Sequence, residues 1–227
     1  MANGATPERP RILVLGRPGS GKGTQCARIA ARFGIPHIST GDLFRATVAR
    51  DTPLGRVVRA YMDAGDLVPD DLVLDVVADR LGPDGAALGF VLDGFPRSIP
   101  QAEQLADLLD PFALDLALDL VVPADVARLR LTTRLVCGDC GRSVGGGAIG
   151  ACGDCGGSVE ARADDDASTV ARRLAVYDRT TAPLSDWLDR RELLIRIDGI
   201  GRPAEVAARI DAACDVLLVS GSEDLAS

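Results

Sequence analysis

Lys22 is the only lysine in a chain of 227 residues, and every other one of its 25 basic side chains is arginine. A composition that has moved to arginine yet spares one position marks a place where a compact ammonium does something a guanidinium cannot, chance survival being the alternative. The lysine stands in Gly16-Arg-Pro-Gly19-Ser20-Gly21-Lys22-Gly23-Thr24, with the Gly-x4-Gly-Lys spacing of a phosphate-binding loop. Glycines there let backbone N–H groups converge on phosphate oxygens, and the helix start that follows adds partial positive charge. The lysine then reaches the outer phosphates. A glycine-rich turn that merely joins a strand to a helix is the plainer alternative, and the spacing is not the Gly-x-Gly-x-x-Gly of dinucleotide folds.

A second constellation is sulfur-based. Cys137-Gly-Asp-Cys140-Gly and Cys152-Gly-Asp-Cys155-Gly are near-identical knuckles with eleven residues between them. Two such turns present four thiolates tetrahedrally, which suits zinc, with iron as the rival. Disulfides are disfavoured in a reducing compartment. The stretch from Cys137 to Ser158 has almost no aliphatic side chains to bury, so a metal has to supply most of its folding energy. Cysteine ribbons also bind nucleic acid, but between the knuckles the basic residue is Arg142 alone and no aromatic side chain is there to stack a base. Cys26 and Cys214 fall singly in helical patterns and read as small core residues, while His37, the sole histidine, reads as a packing or surface residue.

The elements that must position these groups follow from periodicity. Arg11 to Leu15 is a strand-like run ending in the glycine loop, and Cys26, Ala27, Ile29, Ala30 and Phe33 then recur at helical spacing. Aliphatic runs at Gly89–Leu92, Leu114–Val122 and Leu193–Ile197 alternate with helical patterns at Asp70–Leu81, Ser98–Leu109 and Thr169–Leu188. That alternation predicts an α/β fold with a parallel sheet covered by helices, interrupted by the cysteine segment as an inserted lobe. Hydrophobic content of 47% with 26% charge is ordinary for a soluble protein. A net charge of −8 argues against a surface built for nucleic acid. Met1 to Pro10 carries no apolar stretch of signal-peptide length, and the most apolar segment, Phe112 to Val122, is broken by Asp115 and Asp119. The expectation is a cytoplasmic monomer with no membrane span.

Six ordered motifs between residues 11 and about 213 resemble the adenylate kinase family. Gly-Lys-Gly-Thr-Gln, with a glycine between the lysine and the hydroxyl residue, is similar to that family's loop, although Arg17 stands where a small residue or proline is usual; its side chain is expected in solvent. His37-Ile-Ser-Thr40-Gly-Asp42-Leu-Phe-Arg45, Met62, the run Gly65-Asp66-Leu67-Val68-Pro69-Asp70, and Asp93-Gly94-Phe95-Pro96-Arg97 with Gln101 resemble its AMP side. The resemblance implies Thr40 near the adenine, Arg45 and Arg97 on the AMP phosphate, Gln101 on the adenine edge, and Met62, Asp66, Leu67, Val68, Gly94, Phe95 and Pro96 as walls or backbone contacts. On the ATP side it implies Gly19, Ser20, Gly21, Lys22, Gly23 and Thr24 around the phosphates, Arg130 and Arg134 clamping them, Ser143 and Val144 in the lid, and Gly201 against the base. Arg162 and Arg173 match two further phosphate-clamping arginines, and Asp164 and Asp165 match an acidic pair; solvated helix charges are the alternative, better suited to Arg172 than to Arg173.

The implied fold is a P-loop NTPase-type parallel sheet flanked by helices. A core of residues 11–38, 70–130 and 163–213 carries an inserted helical monophosphate-binding lobe at 39–69 and an inserted zinc-ribbon lid at 131–162. Residues 1–10 are expected to form a flexible tail, and 214–227 a C-terminal strand and tail. The implied reaction is reversible, Mg²⁺-dependent transfer from ATP to AMP giving two ADP, with both lobes excluding water. Two polyanions must meet in line, so fixed guanidiniums offset their repulsion and stabilise the charge of the transferred group. The resemblance implies Lys22, Arg97, Arg130, Arg134, Arg162 and Arg173 as the catalytic cations, with Asp93 expected to orient water on Mg²⁺. The resemblance implies a structural rather than catalytic zinc in the lid, held by Cys137, Cys140, Cys152 and Cys155. This chain departs from the family in a shorter loop between the cysteine pairs, in Ser143-Val144 where an aromatic or histidine is usual, and in Thr133-Arg134-Leu135 for the common Gly-Arg-Arg. A GTP-using or UMP/CMP-type kinase and a non-catalytic zinc adaptor are the alternatives.

Overall fold

The computed structural model describes residues 9–144, 150–162 and 164–220. The expected tails over 1–8 and 221–227 lie outside the described residues. In chain order the elements are β1 (Arg11–Gly16), α1 (Lys22–Phe33), β2 (His37–Ser39), α2 (Thr40–Ala49), α3 (Pro53–Ala64), α4 (Asp70–Leu81), α5 (Gly85–Leu88), β3 (Phe90–Asp93), α6 (Ile99–Leu109), β4 (Leu116–Val121) and α7 (Ala124–Thr132). There follow β5 (Leu135–Cys137), β6 (Ser143–Val144), β7 (Val159–Ala161), α8 (Ala167–Val176), α9 (Ala182–Asp189), β8 (Leu194–Asp198) and α10 (Pro203–Ser220).

Five strands form one parallel sheet in the order β2-β3-β1-β4-β8. Because successive strand side chains point to opposite faces, the aliphatic runs sort into two cores. Ile12, Val14, Val91, Leu116, Leu118, Leu120 and Ile197 pack with Cys26 and Ile29 of α1 and Val206, Ile210 and Cys214 of α10. Leu13, Leu15, Phe90, Leu92 and Ala117 face the other way, against Phe44, Val58, Val73, Val77, Leu105, Leu109, Leu184 and Leu188. Both cysteines expected in the core are there. Asp119 breaks the aliphatic rhythm of β4: it is 6% exposed, and burial pushes its carboxyl upward.

Three stretches differ from the sequence reading. His37–Ser39 forms an edge strand that periodicity does not announce, since only Ile38 of its three residues is buried. The single helix expected over Thr169–Leu188 is interrupted at Tyr177–Thr181 by a widened π-type turn ahead of Pro183, whose ring nitrogen cannot donate to the preceding turn. The strand expected from residue 214 is instead the end of α10: Val206, Ile210 and Cys214, four apart, lie on one helical face, and the helix runs on to Ser220.

A second, three-stranded antiparallel sheet, β6-β5-β7, carries the cysteine knuckles. It joins the main body through α7 and α8, which bury Val122, Ala127, Leu131, Val170 and Leu174 between them.

Candidate active site

The glycine loop leaves β1 at Gly16 and enters α1 at Gly21, as its spacing requires. Two glycines are fixed by close approach as well as by backbone angle. At Gly16, with φ of +136°, a Cβ would lie 2.7 Å from the Leu120 carbonyl oxygen; at Gly19, with φ of +84°, it would lie 2.5 Å from that of Ala127. Ser20 is buried, whereas Gly21, Gly23 and Thr24 are exposed and free to meet a ligand through their backbone. Lys22 curls over the loop and donates from Nζ to the carbonyls of Gly16 at 2.6 Å and Arg17 at 3.0 Å. Burial lowers its pKa to about 8, an effect that Asp93 opposes and Arg97 and Arg173 reinforce.

That coupling identifies which cations gather here. The fields of Arg97 and Arg173 reach Lys22, Arg45 acts on Arg97, and Arg134 and Arg97 act on Arg173. Desolvation is the first cause of the lowered pKa at Arg97 and at Arg173. Side chains from α1, α2, α8 and the segments following β3 and α7 therefore face one region rather than separate patches of solvent.

Carboxylates hold this like-charged group in place. Asp165 accepts from Arg134 Nε at 2.7 Å and Nη2 at 2.8 Å, and from Arg173 Nη1 at 2.9 Å. Asp164 lies 3.3 Å from Arg173 Nη1 and 2.7 Å from Arg162 Nε, the latter without hydrogen-bond alignment. Arg130 donates to the carbonyls of Ser20 at 3.2 Å and Gly199 at 3.1 Å, linking the glycine loop to the turn that ends at Gly201. Gly201 itself is exposed at φ of +120°, and Ser143 and Val144 form the outer strand of the small sheet.

On the opposite side Thr40 Oγ1 donates to the Gly94 carbonyl at 3.0 Å, and Arg97 Nε donates to the same oxygen at 2.7 Å. Gln101 accepts from the Arg97 backbone N–H at 2.7 Å and donates to Asp70 Oδ1 at 2.6 Å, which fixes its carboxamide. Phe95 is buried beside cis-Pro96. Arg45 is paired with Asp42. Met62 packs on the core, Val68 is buried within it, and Leu67 is half-buried. The Asp66 carboxylate turns outward to a two-pronged pair with Arg172, both contacts at 2.8 Å.

Some of this was beyond sequence reasoning. Arg17 is not free in solvent: half-buried, it pairs with Asp178 at 2.7 Å and lies 5.4 Å from the Tyr177 ring centroid, because the widened turn brings those residues against the loop. Gly199 as Arg130's partner, and Asp70 as Gln101's, depend on loop paths that no local pattern encodes.

The donor sets suit metals of two kinds. The four knuckle cysteines are all free thiols whose sulfurs lie within 4.8 Å of one another, with Cys137 to Cys155 at 3.4 Å and Cys140 to Cys152 at 3.8 Å. Tetrahedral metal–sulfur bonds of about 2.3 Å place sulfurs about 3.8 Å apart, so the cluster fits one ion. Asp93 ends β3 next to the loop, with Oδ2 3.4 Å from where a Gly23 Cβ would be, an oxygen donor positioned for a hard cation held with phosphates.

The chain is similar to known proteins along most of its length. A family model described as adenylate kinase matches residues 14–193. The adenylate kinase of Acidothermus cellulolyticus is 46% identical over 214 residues, covering 89% of this chain and 97% of that protein. Those of Clostridium tetani and Bacillus subtilis are 43% and 42% identical, over 88% and 83% of this chain and 95% and 90% of theirs. A glycine loop opening the first helix, cations gathered around it, and likeness along nearly the whole length of these relatives lead to one conclusion: the chain belongs to the adenylate kinase family.

Proposed function

We propose that the protein catalyses reversible transfer of the terminal phosphoryl group of Mg²⁺-bound ATP to AMP, giving two ADP. The observation that carries this reading is the electrostatically coupled set Lys22, Arg97, Arg173, Arg134 and Arg45, gathered at the mouth of a phosphate-binding loop. In this reading Gly19 to Thr24 bind the ATP phosphates through backbone N–H groups, and Lys22 leaves its two carbonyl acceptors for the outer phosphates. Arg130 and Arg134 hold the donor, Ser143 and Val144 close over it, and Gly201 meets its base. Arg45 and Arg97 hold the AMP phosphate, Thr40 and Gln101 face the adenine, and Met62, Asp66, Leu67, Val68, Gly94, Phe95 and Pro96 form the surrounding wall. Arg162 and Arg173 lie between the two nucleotides, where charge develops on the transferred group. The acceptor's own phosphate oxygen is the nucleophile, so no side chain has to remove a proton.

Mg²⁺ brought with ATP would neutralise part of the phosphate charge, with Asp93 as the side chain placed to hold it. Asp93 orients its water ligands. Zinc is the ion proposed for Cys137, Cys140, Cys152 and Cys155, in a structural role. Residues 39–69 and 131–162 are the two lobes that close on the core and exclude water. The reading takes the protein as a cytoplasmic monomer acting on small nucleotides; among the described residues no helix is long and apolar enough to cross a membrane.

Purified protein mixed with Mg·ATP and each nucleoside monophosphate provides the test. ADP formed with AMP supports the assignment. No ADP from AMP, with UMP or CMP accepted instead, overturns the acceptor, and preference for GTP over ATP overturns the donor.

A further inference from the structure

Cys26, His37 and Asp93 meet beside the phosphate loop, although they come from α1, β2 and β3. The Cys26 sulfur, a His37 ring nitrogen and an Asp93 carboxylate oxygen all lie within 4.8 Å of one another. Their backbones are fixed by the sheet: Ser39 is in register with Asp93 and His37 with Val91, while Cys26 is fully buried against the same strands. His37 Nε2 is shut off from solvent and has no hydrogen-bond partner; the nearest Asp93 oxygen, at 3.7 Å, is too far to serve. A buried ring nitrogen without a partner is costly, and one aimed at a thiol and a carboxylate has the surroundings of a ligand awaiting its ion.

We propose that Cys26, His37 and Asp93 form a second metal site, separate from the cysteine ribbon, that takes a thiol- and imidazole-preferring divalent ion such as Zn²⁺ and thereby inhibits the enzyme. One sulfur, one nitrogen and one oxygen with a fourth position open is a donor set suited to zinc, whereas Mg²⁺ prefers oxygen ligands alone. Bonds of about 2.0–2.3 Å require the donors to stand about 3.3–3.8 Å apart, so closing the site takes side-chain adjustments of about 1 Å or less. Binding displaces the Cys26 thiol proton to water as the metal–sulfur bond forms, with no redox change. Inhibition follows from position. Cys26 is one helical turn beyond Lys22, both Cys26 and Asp93 are within the field of that ammonium, and an ion here engages the carboxylate meant for the water ligands of Mg·ATP. The inhibitory consequence rests on the proposed kinase reading; the binding does not.

Two measurements on the full chain with its ribbon cysteines intact test the site. In chelator-buffered zinc titrations, wild type should bind one equivalent more than Cys26→Ala and than His37→Asn, variants that all retain the ribbon. In ADP-formation assays with saturating Mg·ATP, added zinc should inhibit wild type at concentrations at least tenfold below those needed for either variant, while the zinc-free rates of the variants match wild type. Equal stoichiometry in wild type and His37→Asn, or equal sensitivity to zinc, overturns the proposal, and the histidine variant decides the matter should the core cysteine change impair folding. A protein that binds the extra ion but makes no ADP would refute the kinase reading and leave the site standing. An active protein without the extra ion would do the reverse.

Discussion

Arg134 and Arg173 share one carboxylate. Asp165, with a side chain only 4% exposed, takes both prongs of Arg134 and a third hydrogen bond from Arg173. Two guanidiniums that would repel each other are thus kept close together before any phosphate arrives. Asp165→Asn removes the charge while keeping the shape. Leaving Arg134 without its carboxylate, and Arg173 with Asp164 alone, should cost about 3 kcal/mol in denaturant unfolding. ATP turnover should fall by about tenfold or more, with the effect of a second change at Asp164 less than additive, because both acids hold Arg173. Full additivity in a double-mutant cycle would show that they act separately.

Lys22→Ala should lower kcat by about two to three orders of magnitude, the range seen when one preorganised charge donor to a developing anion is lost. Stability should not fall, because burial makes the ammonium a destabilising group in the ligand-free protein. Steady-state rates and urea unfolding of the same preparation separate the two effects, and undiminished turnover would reject the role given to the lysine.

The lowered Lys22 pKa predicts a pH dependence whose sign follows from linkage. Because the free protein loses this proton near pH 8 and the unfolded chain near the usual 10.5, stability rises with pH between those values instead of falling. Polyphosphate binding needs the charged form, so ATP affinity should be constant below about pH 8. Above it, affinity should weaken by up to about tenfold per pH unit until the pKa of the complex is passed. Isothermal titration from pH 7 to 10 reads this directly, and the slope should vanish in Lys22→Ala.

Removing the ribbon metal should unfold the small sheet and spare the large one. Cys137 and Cys152 are buried, yet neither belongs to the clusters that pack either face of the parallel sheet. Apparent zinc-binding energies of about 10–16 kcal/mol in peptide ribbons exceed what this segment's few aliphatic side chains can supply. Chelation under reducing conditions should abolish ADP formation while leaving most of the far-ultraviolet dichroism and the main cooperative transition. Loss of the whole transition would mean that the two sheets fold as one unit.

The exposed pair Asp66–Arg172 is a weaker device. With side chains 35% and 58% exposed it should contribute less than about 1 kcal/mol, and Arg172→Ala should leave stability nearly unchanged. Since it ties the turn after α3 to α8, its loss is expected to shift KM for AMP more than kcat. The reverse pattern would assign Arg172 to the chemistry.

Sequence legibility followed the range of the forces involved. The phosphate loop and the knuckles could be read because their chemistry lies within a few consecutive residues. The core strands could be read because a parallel strand buried on both faces is nearly all apolar, as in Phe90-Val91-Leu92. His37–Ser39 escaped notice because a three-residue edge strand takes its conformation from Val91 and its neighbours, not from its own composition. Arg17 looked solvated for a related reason: Asp178 and Tyr177, which hold it, lie some 160 residues away and reach it only through the turn that Pro183 forces. The partners of Arg130 and Gln101 were hidden likewise, since both are fixed by tertiary contacts.

The strut from Arg130 to the carbonyls of Ser20 and Gly199 has a kinetic side. It braces the glycine loop and the turn that ends at Gly201 into one stiff unit, so that, in the proposed reading, much of the ordering a nucleotide would otherwise impose is completed when the chain folds. Encounter then needs little rearrangement on the donor side, and in the proposed reading the motion of each cycle falls to the two inserted lobes.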